Sequence, residues 1–298
     1  VASAVIDRAW TKRARKAVVV AGLRTYFRTT SRVAPSLAVR KAVDVWCTLP
    51  TNTGRRKDNR HEPGERVTVP AAGLSVGRTI VAETWGEGPV VYLVHGWGGW
   101  RGQVASFAPQ LVAEGFQVVT FDSLSHGDSD PGEHGPSRST GGEMVDSFRQ
   151  VYEHFGPAHA VVGHSLGCAS ACRTLLDGAQ AERLCLISPN PEMAEISGRF
   201  ARQIGLAPRL DELFFAANER YAHRAMHDFD IAPMAATGQL PGATIIHDAL
   251  DKEVPLAVAQ QIADTWSGST LVTTHGLGHH RILIDPDVIT HVTKAVIG

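Results

Sequence analysis

From about residue 76 onward, short runs of β-branched and other apolar residues alternate with longer segments of helical period, and this alternation restricts the fold more than any other feature of the chain. Runs at 78–84 (RTIVAET), 90–95 (VVYLVH), 117–122 (QVVTFD), 159–162 (HAVV), 183–188 (RLCLIS), 243–247 (ATIIH) and 270–274 (TLVTT) predict strands. Most are apolar without interruption. Strands covered on both faces by crossover helices have that pattern, so the sheet should be mainly parallel. Periodic segments at 103–114, 140–155, 166–177, 255–266 and 287–297 predict the helices. Before the last of them stand Asp285, a side chain suited to capping, and Pro286, whose fixed φ and missing N–H suit a first helical turn. Val288, Ile289, Val292 and Val296 then share one face. The expectation is a doubly wound α/β architecture.

Residues 191–242 break the rhythm, scattering Phe200, Leu206, Leu210, Leu213, Phe214, Phe215 and Tyr221 among Arg and Glu, and predict a short helical cap inserted over the sheet. The layout is then a helical extension over 1–60, an α/β core over 61–190 and 243–298, and a cap over 191–242. Charge sets the extension apart: residues 1–60 carry fourteen Lys/Arg against three Asp/Glu, the remainder fifteen against twenty-seven. Its helices should pack on the core through Val5, Ile6, Trp10, Val18, Val20, Leu23 and Phe27. Its cations and aromatic residues also suit a helix lying on anionic lipid, the less favoured reading. Only this arm is basic and no recognition motif accompanies it, which sets nucleic acid aside. The cluster Lys12, Arg13, Arg15 and Lys16 before AVVVAGL resembles a secretion signal, but Arg24 and Arg28 end the apolar run too early, and nowhere do 18 apolar residues run together. Cys47, Cys168, Cys172 and Cys185 show no C-x-x-C or zinc-type spacing, so a reduced, cytoplasmic protein is expected. Nothing in the sequence bears on oligomeric state.

One stretch points to chemistry. VVGHSLGCAS, residues 161–170, reads as a buried strand, a tight turn with Ser165 at its apex, and the first turn of a helix. A serine hydroxyl is a weak nucleophile alone and needs a base, a group that orients the base, and donors for an oxyanion. Gly163 and Gly167 flank Ser165 in G-x-S-x-G, where larger side chains would collide in so sharp a turn. The glycine-rich loop after VVYLVH could aim the amide of Trp97 at an oxyanion, and the amide of Leu166 at a helix N-terminus would be the second donor. TTHGLGHHRIL supplies histidines after the last strand, and IIHDALDKEVP supplies carboxylates after the strand before it.

Four motifs in this order resemble the α/β-hydrolase superfamily, and its serine esterase and lipase-like members, over roughly residues 76–297. They are HGWGG from His95, D-x-x-x-H-G-D-S from Asp122, GHSLG around Ser165, and D-x-x-V-P from Asp251 with G-x-G-H ending at His279. The resemblance implies an α/β-hydrolase fold and a small-molecule carboxylic ester substrate. It implies a triad of Ser165, His279 and Asp251, an oxyanion hole at Trp97 and Leu166, and no cofactor or metal. Relatives with aspartate at the elbow open epoxides or displace halide, so serine here implies acyl transfer. His280 and His275 neighbour His279, and Asp248 could substitute for Asp251. The segment DSLSHGDSD departs from relatives that carry a Pro-Gly pair after the aspartate, a change of loop shape. The same triad would serve a thioesterase or acyltransferase, and a non-catalytic member binding a ligand under the cap is the rival of another class. Of the fourteen histidines, His275, His279 and His280 lack the spacing and third carboxylate of a metal site. His95 and His126 should bond backbone, His164 should face away from the pocket, and Cys168 and Cys172 should be small core residues.

Overall fold

The computed structural model describes residues 2–50 and 58–298, and of residues 2–17 and 74 the backbone alone. Eight strands make one sheet: β1 (Glu65–Pro70), β2 (Thr79–Trp85), β3 (Val90–Val94), β4 (Gln117–Phe121), β5 (Ala158–His164), β6 (Ala181–Ile187), β7 (Ala243–Asp248) and β8 (Thr270–Thr274). Their order is β1-β2-β4-β3-β5-β6-β7-β8. From β4 through β8 every neighbouring pair is parallel, while β1 and β2 add an antiparallel edge. All seven apolar runs are strands. β1 carries no such run, because in ERVTVP only Val69 is fully covered and an edge strand with one wet face needs no continuous apolar stretch.

The described residues hold twelve α-helices: α1 (Ala2–Val33), α2 (Pro35–Trp46), α3 (Arg101–Val104), α4 (Ala108–Ala113), α5 (Gly141–Phe155), α6 (Leu166–Leu176), α7 (Met193–Ile204), α8 (Asp211–Ala222), α9 (Ile231–Ala236), α10 (Leu256–Thr265), α11 (Gly278–Arg281) and α12 (Pro286–Ile297). The segment 103–114, expected as one helix, is two. Pro109 has no N–H to continue the ladder and sits in the first turn of α4, after a 3₁₀ turn at 105–107. None of the described helices is long and apolar enough to cross a membrane.

These elements divide into two compact units, Val1–Cys47 with Ala194–His223 and Thr48–Met193 with Arg224–Gly298. In the first, Phe27 of α1, Ala38 and Ala42 of α2, Ala201 of α7 and Phe214 of α8 are fully buried in one apolar cluster. Arg24 donates to the Gln203 carbonyl at 3.0 Å, and the Ala207 amide donates to Ser31 Oγ at 3.2 Å. Val18, expected on the packing face, is 71% exposed. At 100° per residue it lies across the helix from Leu23 and Phe27, which set the buried stripe. The side chains of Val5, Ile6, Trp10, Lys12, Arg13, Arg15 and Lys16 lie outside the described residues.

The second unit is the sheet and its helices. Val91 and Leu93 of β3, Phe107, Leu111 of α4, and Val288, Val292 and Val296 of α12 share one core cluster with Ile187 and Ile246. Each such side chain contributes roughly 1.5–3 kcal/mol by leaving water. Asp285 caps α12 by accepting from the amides of Asp287 and Val288, with Pro286 next in line, as the sequence pattern predicts. Thr140 caps α5 by accepting from the Glu143 amide at 3.1 Å. The carboxyl edge of the parallel strands carries the candidate site residues, with Ser165 following β5 and Asp251 following β7.

Candidate active site

Ser165 sits between β5 and α6 with φ 54° and ψ −126°, a backbone conformation that costs a non-glycine residue about 1–3 kcal/mol. The turn is held in place. The Ser165 amide donates to the Ile187 carbonyl at 3.0 Å, and the Ser165 carbonyl accepts from the Cys168 amide at 2.9 Å. A Cβ on Gly163 would come within 2.8 Å of Cys168 Cα, and one on Gly167 within 2.5 Å of the Val94 carbonyl oxygen. Both glycines are thus required by close approach of backbone to backbone. His164 and Leu166 on either side are buried, while Ser165 itself is only half-buried, so the strained turn lifts the hydroxyl out of the core.

His279 lies in α11, and its Nδ1 is 2.7 Å from Asp251 Oδ2. Burial pushes the Asp251 carboxyl up, but the hydrogen bond from His279 and those from the amides of Val254 and Glu253 (3.0 and 2.8 Å, to Oδ1) outweigh it and bring it down to about 2. An ionised carboxylate only accepts, so His279 carries its proton on Nδ1 and a neutral ring presents a lone pair at Nε2. Asp248, which ends β7 three residues before Asp251, is otherwise committed. Its oxygens accept from the Leu250 amide, the Thr274 hydroxyl and the Leu277 amide, each at 2.9 Å, tying the end of β7 to the loop that leads into α11. His280 points to Glu253 at 3.0 Å and has Gln103 near its Nδ1 at 3.4 Å, and His275 is exposed.

The loop after β3 runs beside the serine, since a Cβ on Gly96 would stand 2.9 Å from Ser165 Cβ. Trp97 follows directly. The loop is clamped by two buried imidazoles. His95 donates from Nδ1 to the Gly96 carbonyl at 2.8 Å and accepts the Ser123 amide on Nε2 at 3.0 Å. His126 donates from Nδ1 to the Leu124 carbonyl and accepts the Gly98 amide on Nε2 at 3.2 Å. Burial holds both rings neutral, His126 down to about 3. Behind the loop, Arg101 is buried and donates to Glu83 (2.9 Å), Asp128 (2.9 Å) and Asp122, whose other oxygen takes the Arg101 amide at 2.7 Å. Burial disfavours the guanidinium, but these three carboxylates outweigh it. The Leu166 amide opens α6, where first-turn N–H groups have no intrahelical acceptor and the helix dipole favours negative charge.

Sequence reasoning missed two participants. Arg101 follows HGWGGW as one more polar residue, and its burial depends on carboxylates 18 to 27 residues away. His164 is buried, and its Nε2 donates to the His279 carbonyl at 2.9 Å with the two rings 4.8 Å apart, a partner its own segment does not announce. The proximity of GHSLG to G-x-G-H in any fold joining them was the available signal.

The chain belongs to the Alpha/beta hydrolase family, whose sequence model matches residues 91–291, two thirds of its length. No curated protein matches the sequence. Among solved structures, a hydrolase described as putative from Agrobacterium vitis S4 is similar at 21% identity and TM-score 0.59, over 79% of this chain and 98% of that one. A thermophilic esterase from Thermogutta terrifontis, with malate bound, is similar at 20% identity and TM-score 0.58, over 78% of this chain and 97% of that one. The thioesterase domain from the curacin biosynthetic pathway is similar at 18% identity and TM-score 0.57, over 80% and 100%. These likenesses are of fold, which many chemistries share.

Proposed function

We propose that this protein is a serine hydrolase that cleaves a small-molecule carboxylic ester through an acyl-enzyme. Ser165 Oγ attacks the ester carbonyl carbon while His279 Nε2 takes its proton, and the amides of Trp97 and Leu166 receive the oxyanion. Asp251 keeps His279 in the productive tautomer and stabilises the imidazolium that forms. The proton passes to the departing alkoxide, which leaves as an alcohol and the acyl group stays on Ser165. Water, giving its proton to His279, then releases the acid and restores the serine. The steps call for no cofactor.

The observation that carries this reading is the pairing of a buried carboxylate, low in pKa, with His279 Nδ1 at 2.7 Å, where the His279 carbonyl is bonded by His164, the residue before a serine held at φ 54° on the turn between a strand and a helix. A purely structural serine in a turn would need neither. Turnover of p-nitrophenyl esters of graded acyl length, set against the matching acyl-thioesters, tests the proposal. Faster turnover of esters supports it. Preference for thioesters would move the reading to a thioesterase, and no turnover of either class would refute it.

A further inference from the structure

The G-x-S-x-G turn uses only the glycines and the serine, yet its second residue is a fully enclosed histidine. His164 ends β5, one residue before Ser165, and is 3% exposed. Its Nε2 donates at 2.9 Å to the main-chain carbonyl of His279, 115 residues further along the chain. Its ring lies 4.8 Å from the His279 ring and 6.1 Å from that of His280. Its Nδ1 is buried and has no hydrogen-bond partner. Keeping that nitrogen dry and unsatisfied costs about 1–3 kcal/mol, a cost a leucine or phenylalanine at this position would avoid. The one compensation is the bond from Nε2.

That bond joins the elbow residue before Ser165 to the main chain of His279. Asp251 fixes His279 from its side chain, through Nδ1; His164 fixes it from its main chain, through the carbonyl. With the ring held at one end and the backbone at the other, the direction of Nε2 is determined. Because the anchor is the neighbour of Ser165, any shift of the elbow carries the histidine with it. We propose that His164 is a positioning residue for the hydrolytic reaction, setting the distance between Ser165 and His279 by holding the His279 carbonyl. Burial, with His279 next to it, keeps the His164 ring neutral, so the imidazolium formed on His279 during turnover meets no second cation there.

The inference rests on the proposed roles of Ser165 and His279, and its test separates the two. His164→Phe keeps the ring volume and loses the donor, whereas His164→Gln places an amide N–H close to where Nε2 stood. His164→Phe is expected to lower kcat for a p-nitrophenyl ester about 100-fold, the scale of a misplacement near 1 Å, with KM unchanged. His164→Gln is expected to stay within about threefold of the parent. A residue that only filled space would show the reverse ranking, Phe tolerated and Gln damaging, and that result overturns the proposal. So does a folded Phe variant with the parent kcat. Should the Phe protein not fold by its melting curve, His164→Asn replaces it, since its amide stops one methylene short and predicts the same loss against Gln. Ser165→Ala run alongside reports on the other claim: if it retains the parent rate, the assignment of the nucleophile has failed and not the role of His164.

Discussion

Two loop regions at the carboxyl edge of the sheet gather histidines and carboxylates, and they use them in opposite ways. After β3 and β4, His95 and His126 bond only backbone groups, and Arg101 bonds the buried carboxylates of Asp122 and, from β2, Glu83. The Arg101 charge is answered by carboxylates, and burial keeps the His95 and His126 rings neutral. After β7 and β8 the carboxylate of Asp251 bonds an imidazole, with no Arg or Lys ion pair to it among the described residues. The difference shows that the partner decides the chemistry of a histidine. A ring held by a carbonyl and an amide is a clamp, whereas a ring held by a carboxylate can take a proton and keep it for the length of a step.

The comparison is broken most severely at Asp251 and at Arg101, the cation of the buried carboxylates. Asp251→Asn should lower kcat by roughly 10³- to 10⁴-fold, about 4–5 kcal/mol of barrier, because the amide can present its N–H to His279 and impose the wrong tautomer. Steady-state ester hydrolysis checks this, and a loss under tenfold would mean that His279 does not depend on Asp251. In the other region the effect belongs to stability. Arg101→Met leaves the carboxylate of Asp122 buried without its cation, and Glu83 with Arg60 as its remaining one, and should cost about 3–5 kcal/mol of unfolding free energy in urea titrations. A cost below about 1 kcal/mol would show that these carboxylates are solvated or neutral in the folded protein.

The pH dependence of stability sharpens the same contrast. Asp251 titrates near 2 in the folded chain against about 3.9 when unfolded, so it binds its proton less readily folded. The stability it contributes, roughly 2 kcal/mol, is fully present above about pH 4 and is lost as the pH falls through 2. Urea midpoints of the parent and of Asp251→Asn should therefore draw together between pH 5 and about pH 2. A gap that does not change with pH would contradict the assigned hydrogen bonds. The smallest effect is expected at His280, which pairs with a half-exposed Glu253 and bonds neither Asp251 nor Ser165. His280→Ala should keep activity within about tenfold, about 1.4 kcal/mol. A larger loss than from His279→Ala would exchange the roles of the two rings.

How much of this was legible in the sequence follows from how local each signal is. The buried strands announce themselves by short runs rich in β-branched and apolar residues, as does β8 at the far edge, and the elbow by five consecutive residues between a strand and a helix. β1 is missed because an edge strand wears one polar face, and the single helix expected over 103–114 is divided by Pro109. Val18 was assigned to the packing face because apolar residues there circle the whole helix, so composition does not tell which side meets Phe27. Asp248 ends β7 and Asp251 stands three residues on in the loop that follows, and only the path of the chain there turns Asp248 onto Thr274 and Leu277. Arg101 and His164 were invisible for a further reason. Burial of a charge or an imidazole is decided by partners distant in sequence, and no pattern within the segment records them.

The measurement that bears most directly on the central claim is covalent. A fluorophosphonate reacts with a serine only where a base removes its proton and donors receive the oxyanion, so it interrogates the assembled group and not any one residue. The account predicts a single adduct on Ser165 by peptide mass spectrometry, absent from Ser165→Ala and slowed at least 10³-fold in His279→Ala. Undiminished labelling of Ser165→Ala, or an adduct on another serine of the parent protein, would contradict it.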